Sequence, residues 1–237
     1  MAARRVNDDL LASQLAYYEA RAPEYDDWFF RRGRYDRGPR ASAQWFDEVA
    51  QVRERLAGEP WRGRDVLELA PGTGLWSEWL LAQGARLSVV EGSPAMVAQL
   101  AERLGPDADA VEVTVADLFT WTPTRRYEAV FFGFFLSHVP LERLDDFFSH
   151  VANTLVPGGV VAFVDSRRET TSTAHDHTLP ETGDEVMTRR LDDGREFEIV
   201  KNFFEPAVIT SAAARAGIAL DVRVTPMYFV HGLGTAS

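Results

Sequence analysis

The chain has 237 residues, enough for one large domain with a substantial core, and its 46% hydrophobic content is globular rather than disordered. Lys plus Arg number 25 against 36 Asp plus Glu, a formal charge of −11 that repels a phosphate backbone at long range and argues against general nucleic-acid binding. With no cysteine there is no disulfide and no thiolate chemistry, so a reducing cytoplasm is expected.

In chain order, "MAARRVNDDLLASQLAYYEA" follows two arginines with acids and does not read as a signal peptide. No apolar run approaches the roughly 20 residues of a bilayer-spanning helix, so no membrane partner is expected. Residues 1–60 read as a helical cover rich in aromatics. Within "ASAQWFDEVAQVRERLAG", Trp45, Phe46, Val49, Val52 and Leu56 fall at helical spacing and Gly58 supplies a stop. "RRGRYDRGPR", Arg31 to Arg40, is a candidate for a local basic groove. Every cationic side chain except Lys201 is Arg, a bias that hints at a GC-rich bacterial genome.

From Asp65 short apolar runs alternate with helical stretches. "VLELA" reads as a strand, "GLWSEWLLAQG" as a helix ended by Gly84, and "RLSVVE" as a second strand. "SPAMVAQLAERLG" begins with a Ser cap and Pro at the first helical position. "VEVTVAD" and "YEAVFFGF" are the third and fourth strands, "PLERLDDFFSHVANTLVPGG" is a helix, and "VVAFVDS" is the fifth strand. This alternation implies a parallel sheet with helices on both faces. Residues 166–195, polar and turn-rich, read as an insertion or lid. In 196–237, "FEIVKNFF" reads as a strand, "EPAVITSAAARAG" as a helix and "LDVRVTPMYFVHG" as a last strand or two, and two late strands round one helix could add a hairpin edge to the sheet. With no repeat and no Pro-, Gly- or Ser-rich linker, a single domain is expected.

Ligands of open α/β sheets bind at the carboxyl ends of the strands, and Gly72 and Gly74 stand after the first one. A dinucleotide fingerprint would place a third glycine where Ser77 stands, and no Gly-Lys-Ser/Thr follows to make a P-loop. The pattern is instead Glu68, Ala70, Gly72, Gly74. An acid beside the turn suits a ligand with a positive amino group better than a pyrophosphate. Glu91, in "VVEGSP", can accept from ribose hydroxyls, and Asp117, in "VADLF", from an exocyclic adenine amine.

With these residues in view, the chain resembles the class I S-adenosylmethionine-dependent methyltransferases. "VLELAPGTG", "VVEGSP", "VADLF", "YEAVFFGFFLSHVP" and "VPGGVVAFVD" occur in that family's order over residues 63–165. The resemblance implies a Rossmann-like α/β fold: a seven-stranded sheet whose last strand is antiparallel and inserted between its neighbours. It implies S-adenosyl-L-methionine as cofactor. Glu68, Ala70, Gly72, Thr73 and Gly74 would surround its methionyl part. Glu91, Gly92, Ser93 and Met96 would serve the ribose side, and Asp117 and Leu118 the adenine. Backbone near Phe132 and Gly133 would line the sulfonium side. Tyr17 and Tyr25, in the N-terminal cover, would close over the cofactor, with ordinary helix packing as the alternative. Ala70, where the family often has Gly, should narrow the turn without closing it.

A sulfonium is already an activated methyl donor, so alignment is the protein's main task, and a base is needed only where the acceptor must lose a proton. His138 falls where the family's acceptor pocket opens and is the candidate general base, against a structural role joining strand to helix. His175 and His177 form an H-x-H pair in a polar loop that reads as a solvated lid, and no metal is expected. His150 and His231 have no partner visible in sequence. Trp28, Phe29, Phe30, Phe134, Phe135 and Tyr228 lie in segments expected at the pocket mouth; many are expected to be core, and if several line the pocket the acceptor is an apolar or aromatic small molecule. Arg167 and Arg168 read as a solvated charge pair, with holding an acidic group on the acceptor as the alternative. The leading expectation is methyl transfer to O or N of a small metabolite, by a monomer or homodimer. Methylation of a macromolecule, or a non-methylating binder on the same sheet, are the alternatives.

Overall fold

The aliphatic run after Asp65 becomes strand β1 (Asp65–Leu69), buried from Val66 onward, as a central strand covered on both faces must be. The computed structural model describes residues 6–58 and 61–237. The reading of Arg4 and Arg5 against a signal peptide lies outside the described residues.

β1 runs parallel to β2 (Arg86–Glu91) and to β4 (Tyr127–Gly133), β2 is flanked by β3 (Glu112–Val115), and β4 pairs with β5 (Leu155–Ser166). At the far side stand β8 (Ile218–Val224) and β9 (Phe229–Ala236), giving the order β3-β2-β1-β4-β5-β9-β8. β9, last in the chain, is antiparallel to both neighbours and sits between β5 and β8. This is the expected seven-stranded sheet, completed by a late hairpin.

Alternate side chains along the strands feed two cores. On one face Val66, Ala129, Phe131 and Ala162 pack against α3 (Pro39–Leu56), α4 (Leu75–Ala82) and α5 (Pro94–Leu104). On the other, Leu67, Val130, Phe132 and Phe163 meet α6 (Leu144–Thr154) and α7 (Pro206–Arg215). No helix among the described residues is long and apolar enough to cross a membrane.

The N-terminal cover consists of α1 (Asp8–Arg21), capped by the Asn7 side chain, and the short α2 (Tyr25–Phe29), followed by α3. α1 packs on a second, two-stranded sheet of β6 (Val186–Arg190) and β7 (Glu196–Val200) through Tyr17, Met187, Leu191 and Ile199. Two expectations are corrected here. "FEIVKNFF" supplies β7, which pairs with β6 and not with the main sheet. The polar segment 166–195 contains β6 and is folded against the body rather than solvated along its length, with Ser172, Thr173 and Ala174 buried. The strand escaped sequence reading because one of its inward positions is an arginine, Arg189, which breaks the alternating apolar pattern.

The basic stretch 31–40 turns out to hold this segment in place. Trp28 Nε1 donates to the Ser172 carbonyl at 2.8 Å, and Arg37 donates to the Thr173 carbonyl at 3.0 Å. Arg31 reaches the Thr171 and Ser172 carbonyls, and Arg34 donates to His177 Nε2 at 2.8 Å. These guanidiniums are engaged with the chain's own backbone and with a loop histidine.

Candidate cofactor and acceptor site

At the carboxyl end of β1 the chain turns through left-handed backbone at Ala70 (φ +52°) and Gly72 (φ +57°). Ala70 keeps the conformation that glycine adopts freely, and its N–H is held by the Val90 carbonyl at 2.9 Å. At Gly72 an added Cβ would lie 3.7 Å from the Tyr25 ring, so the turn and the N-terminal cover approach each other there. The turn's next link is to β2. The Glu91 carboxylate accepts from Gly72 N–H and from Ser93 N–H, each at 3.0 Å. Burial pushes the Glu91 carboxyl above its ordinary range, and the backbone N–H bonds oppose that shift.

These tips open onto a cavity of about 440 Å³. Ala70, Gly72, Glu91, Gly92 and Met96 form one side. Asp117 and Leu118, after β3, form a second, and Gly133, Phe134 and Phe135, at the end of β4, a third. Asp117 is exposed, and one of its oxygens accepts from Phe119 N–H at 2.9 Å. The roof is α1: Asp8, Leu11, Leu15 and Tyr18, at helical spacing, with Tyr25 beyond. Glu19 fastens this roof to the helix beneath, accepting from Ser93 Oγ at 2.6 Å and from Ala95 N–H at 3.0 Å.

Other expected residues stand behind the wall. Glu68 is buried and accepts from Ser77 Oγ at 2.6 Å; burial, with Glu91 nearby, pushes its carboxyl up to about 8. Thr73 Oγ donates to Asp26 at 2.6 Å, and Arg103 bonds both the Thr73 carbonyl, at 2.7 Å, and Asp26. Gly74 opens α4 at φ +84°, where an added Cβ would come 3.2 Å from the Leu100 side chain. Ser93 caps α5. The Phe132 ring stacks on Phe163 in the core, 5.6 Å between centroids.

Tyr17 was expected over the cofactor, but the structure puts it against Phe197 in the β6–β7 cluster, and Tyr18 lines the cavity instead. Adjacent helical residues point about 100° apart, and the Leu11–Leu15–Tyr18 stripe marks which one faces the cleft. Phe29 and Tyr228, expected at the acceptor, are buried around Trp45. Arg167 donates to the Thr225 and Pro226 carbonyls and Arg168 to Pro180, and neither reaches the cleft.

A second, smaller cavity of about 30 Å³ shares Tyr18, Tyr25, Phe134 and His138 with the first. Its other walls include Trp28, Ser166, Phe203 and three cations, Arg21, Arg189 and Lys201. His138 is engaged at both nitrogens: Nδ1 is 2.7 Å from the Val200 carbonyl, so it carries the proton, and Nε2 accepts from the Tyr18 hydroxyl at 2.6 Å. Burial first, and then Lys201, hold its pKa well below 6.5. The cations escaped sequence reading because Arg21 comes from α1, and Arg189 and Lys201 from the distant β6–β7 hairpin and the residue that follows it. The one signal was Lys201, the chain's sole lysine.

His177 accepts from arginines and from Arg190 N–H, and burial with Arg189 and Arg34 pushes it down to about 3. His175 lies between Arg37 and the Asp36 carbonyl. The H-x-H pair is thus part of the loop's internal bonding.

The large cavity fits an adenosyl amino acid on its own chemistry. Three carboxylates, Asp8, Glu91 and Asp117, face one guanidinium, Arg143, a balance that suits hydroxyl and ammonium groups and opposes a pyrophosphate.

Comparison with known proteins agrees. A family model described as a methyltransferase domain matches residues 66–159. No curated protein matches the chain. Among solved structures, a DhpI–SAM–HEP complex is 37% identical, spanning 97% of this chain and 99% of that one with a TM-score of 0.78. A DhpI–SAH complex is 35% identical over 97% and 98%, with a TM-score of 0.75. The CcbJ methyltransferase from Streptomyces caelestis shares the fold at 22% identity over 93% and 98%, with a TM-score of 0.66. The chain belongs to the class I S-adenosylmethionine-dependent methyltransferases, enzymes that use S-adenosyl-L-methionine as methyl donor.

Proposed function

We propose that this protein methylates an oxygen or nitrogen of a small metabolite that reaches from the cofactor cleft into the lesser cavity. The observation that carries this reading is the shared wall. Glu91 and Asp117 face one cavity, and that cavity meets the second across Tyr18, Tyr25, Phe134 and His138. The cofactor, when bound, supplies an electrophilic methyl group on sulfur. Glu91 would accept from the ribose hydroxyls, Asp117 and Leu118 would meet the adenine, and the Ala70–Gly72 turn would admit the methionyl part. Phe134 lies where the two cavities join, and Gly133 precedes it on the wall of the larger one. Phe134 packs on Trp28 at 4.7 Å between centroids, which makes an apolar wall for the acceptor's body.

His138, in this reading, acts by position. Neutral and bonded on both sides, it holds the Tyr18 hydroxyl at the junction of the two cavities. DhpI, crystallised with SAM and HEP together, supports a site that takes cofactor and a second small molecule at once. The test is mass spectrometry of metabolite extracts incubated with the protein and trideuteromethyl cofactor. A labelled small molecule is expected; label found only on protein or nucleic acid would overturn the reading.

A further inference from the structure

A buried cation needs a counter-charge, because an unpaired ion away from water is costly. Arg21, Arg189 and Lys201 are 6%, 9% and 6% exposed, and all three wall the lesser cavity. No Asp or Glu stands on that wall. Asp165 comes to 3.9 Å from Lys201 Nζ, and among the described residues neither Arg21 nor Arg189 forms an ion pair. The Nε atoms of both arginines are buried without a hydrogen-bond partner. Their hydrogen bonds go to neutral groups: Arg189 to Thr173 Oγ at 2.6 Å and His177 Nδ1 at 2.9 Å, Arg21 to the Tyr35 hydroxyl at 3.3 Å, and Lys201 to Ser137 Oγ at 2.7 Å. Such a cluster within a chain of net charge −11 calls for an anion brought from outside.

We propose that this cavity seats an oxyanion of the acceptor, a carboxylate or phosphoryl group on a small acid, and that one of its oxygens takes the methyl. The inference rests on the methyl-transfer reading above and specifies its acceptor. Guanidinium and ammonium groups suit such a head, and the cavity's room, enough for about two waters, matches a head group rather than a ring. The residues that the two cavities share offer no free base. His138 is bonded at both nitrogens, and burial raises the pKa of Tyr18 and Tyr25. A hydroxyl or ammonium acceptor would find no base among these shared residues, whereas an acid arrives without its proton. An acceptor oxygen lone pair forms the bond to the methyl carbon while the carbon–sulfur bond breaks, its electron pair passing to sulfur. The products are a methyl ester and a neutral thioether. One negative and one positive charge disappear together, and no proton moves.

The test is isothermal titration of the whole protein, saturated with S-adenosylhomocysteine, with inorganic phosphate and separately with acetate. One anion is expected to bind at one site per chain, and the better of the two identifies the head group. Lys201→Met and Arg189→Gln should each weaken it about tenfold or more, while the surface control Arg215→Met should not. Variants that misfold are recognised by lost S-adenosylhomocysteine binding, and the wild-type titration stands without them. If the product cofactor binds and neither anion does up to about 20 mM, this inference fails alone. Equal affinity in well-folded Lys201→Met and Arg189→Gln overturns it too. If S-adenosylhomocysteine itself does not bind, the methyl-transfer reading fails first.

Discussion

The Tyr18 hydroxyl donates to Nε2 of His138 at 2.6 Å, joining the N-terminal helix to the loop after β4 where the two cavities meet. Since burial and Lys201 keep His138 neutral, the imidazole has no proton to gain or lose across the working range. The pH profile of kcat/KM should therefore show no inflection near 6.5. Tyr18→Phe should raise the acceptor KM about 3- to 10-fold and leave S-adenosylhomocysteine affinity within about twofold. An acidic limb near 6.5, abolished in His138→Asn, would make His138 a proton carrier instead.

Lys201 supplies a limb at higher pH. Burial pushes its pKa down to about 8, against the pull of Asp165. The ammonium is charged below that value and neutral above it, so attraction for an anionic acceptor is lost as pH rises. We predict that kcat/KM for the acceptor falls above about pH 8, and that Lys201→Met lowers it and removes the limb. Steady-state kinetics over that range check both points.

Glu68 links the site to stability. Its folded pKa, about 8, lies above the ordinary 4.5. Between the two, the folded protein holds a proton that the unfolded chain has lost, so this group's contribution declines as pH rises and is gone above about 8. Glu68→Gln keeps a neutral side chain of the same shape. Its melting temperature relative to wild type should rise from pH 5 to pH 9, roughly by a few degrees. A constant difference would show that Glu68 is ionised in the fold.

Asp26 ties the cover to the glycine turn through Thr73 and Arg103. Asp26→Ala should destabilise the fold by about 1–3 kcal/mol and weaken cofactor binding, because the turn loses its brace. Denaturant melts with and without S-adenosylhomocysteine separate the two effects.

The sheet was legible because its central strands are continuous apolar runs ending in recognisable turns, as "VLELAPGTG" does. Glu91 and Asp117 were legible for the same reason: a strand end fixes where the next side chain stands. Tyr18 was within reach, since Leu11 and Leu15 mark its helical face, but the adjacent Tyr17 has the same chemistry. β6 and the cation cluster were not legible. Arg189 breaks the strand pattern it belongs to, and Arg21, Arg189 and Lys201 meet only after α1 and the β6–β7 hairpin pack together. Local periodicity carries no information about such an encounter.

The most direct measurement is the dissociation constant of S-adenosylhomocysteine for wild type, Glu91→Ala and Asp117→Ala by titration calorimetry. Single-site binding to wild type is predicted, weakened about 100-fold by loss of Glu91 and about tenfold by loss of Asp117. Unchanged affinity in both variants would contradict the assignment of those two carboxylates to one adenosyl ligand.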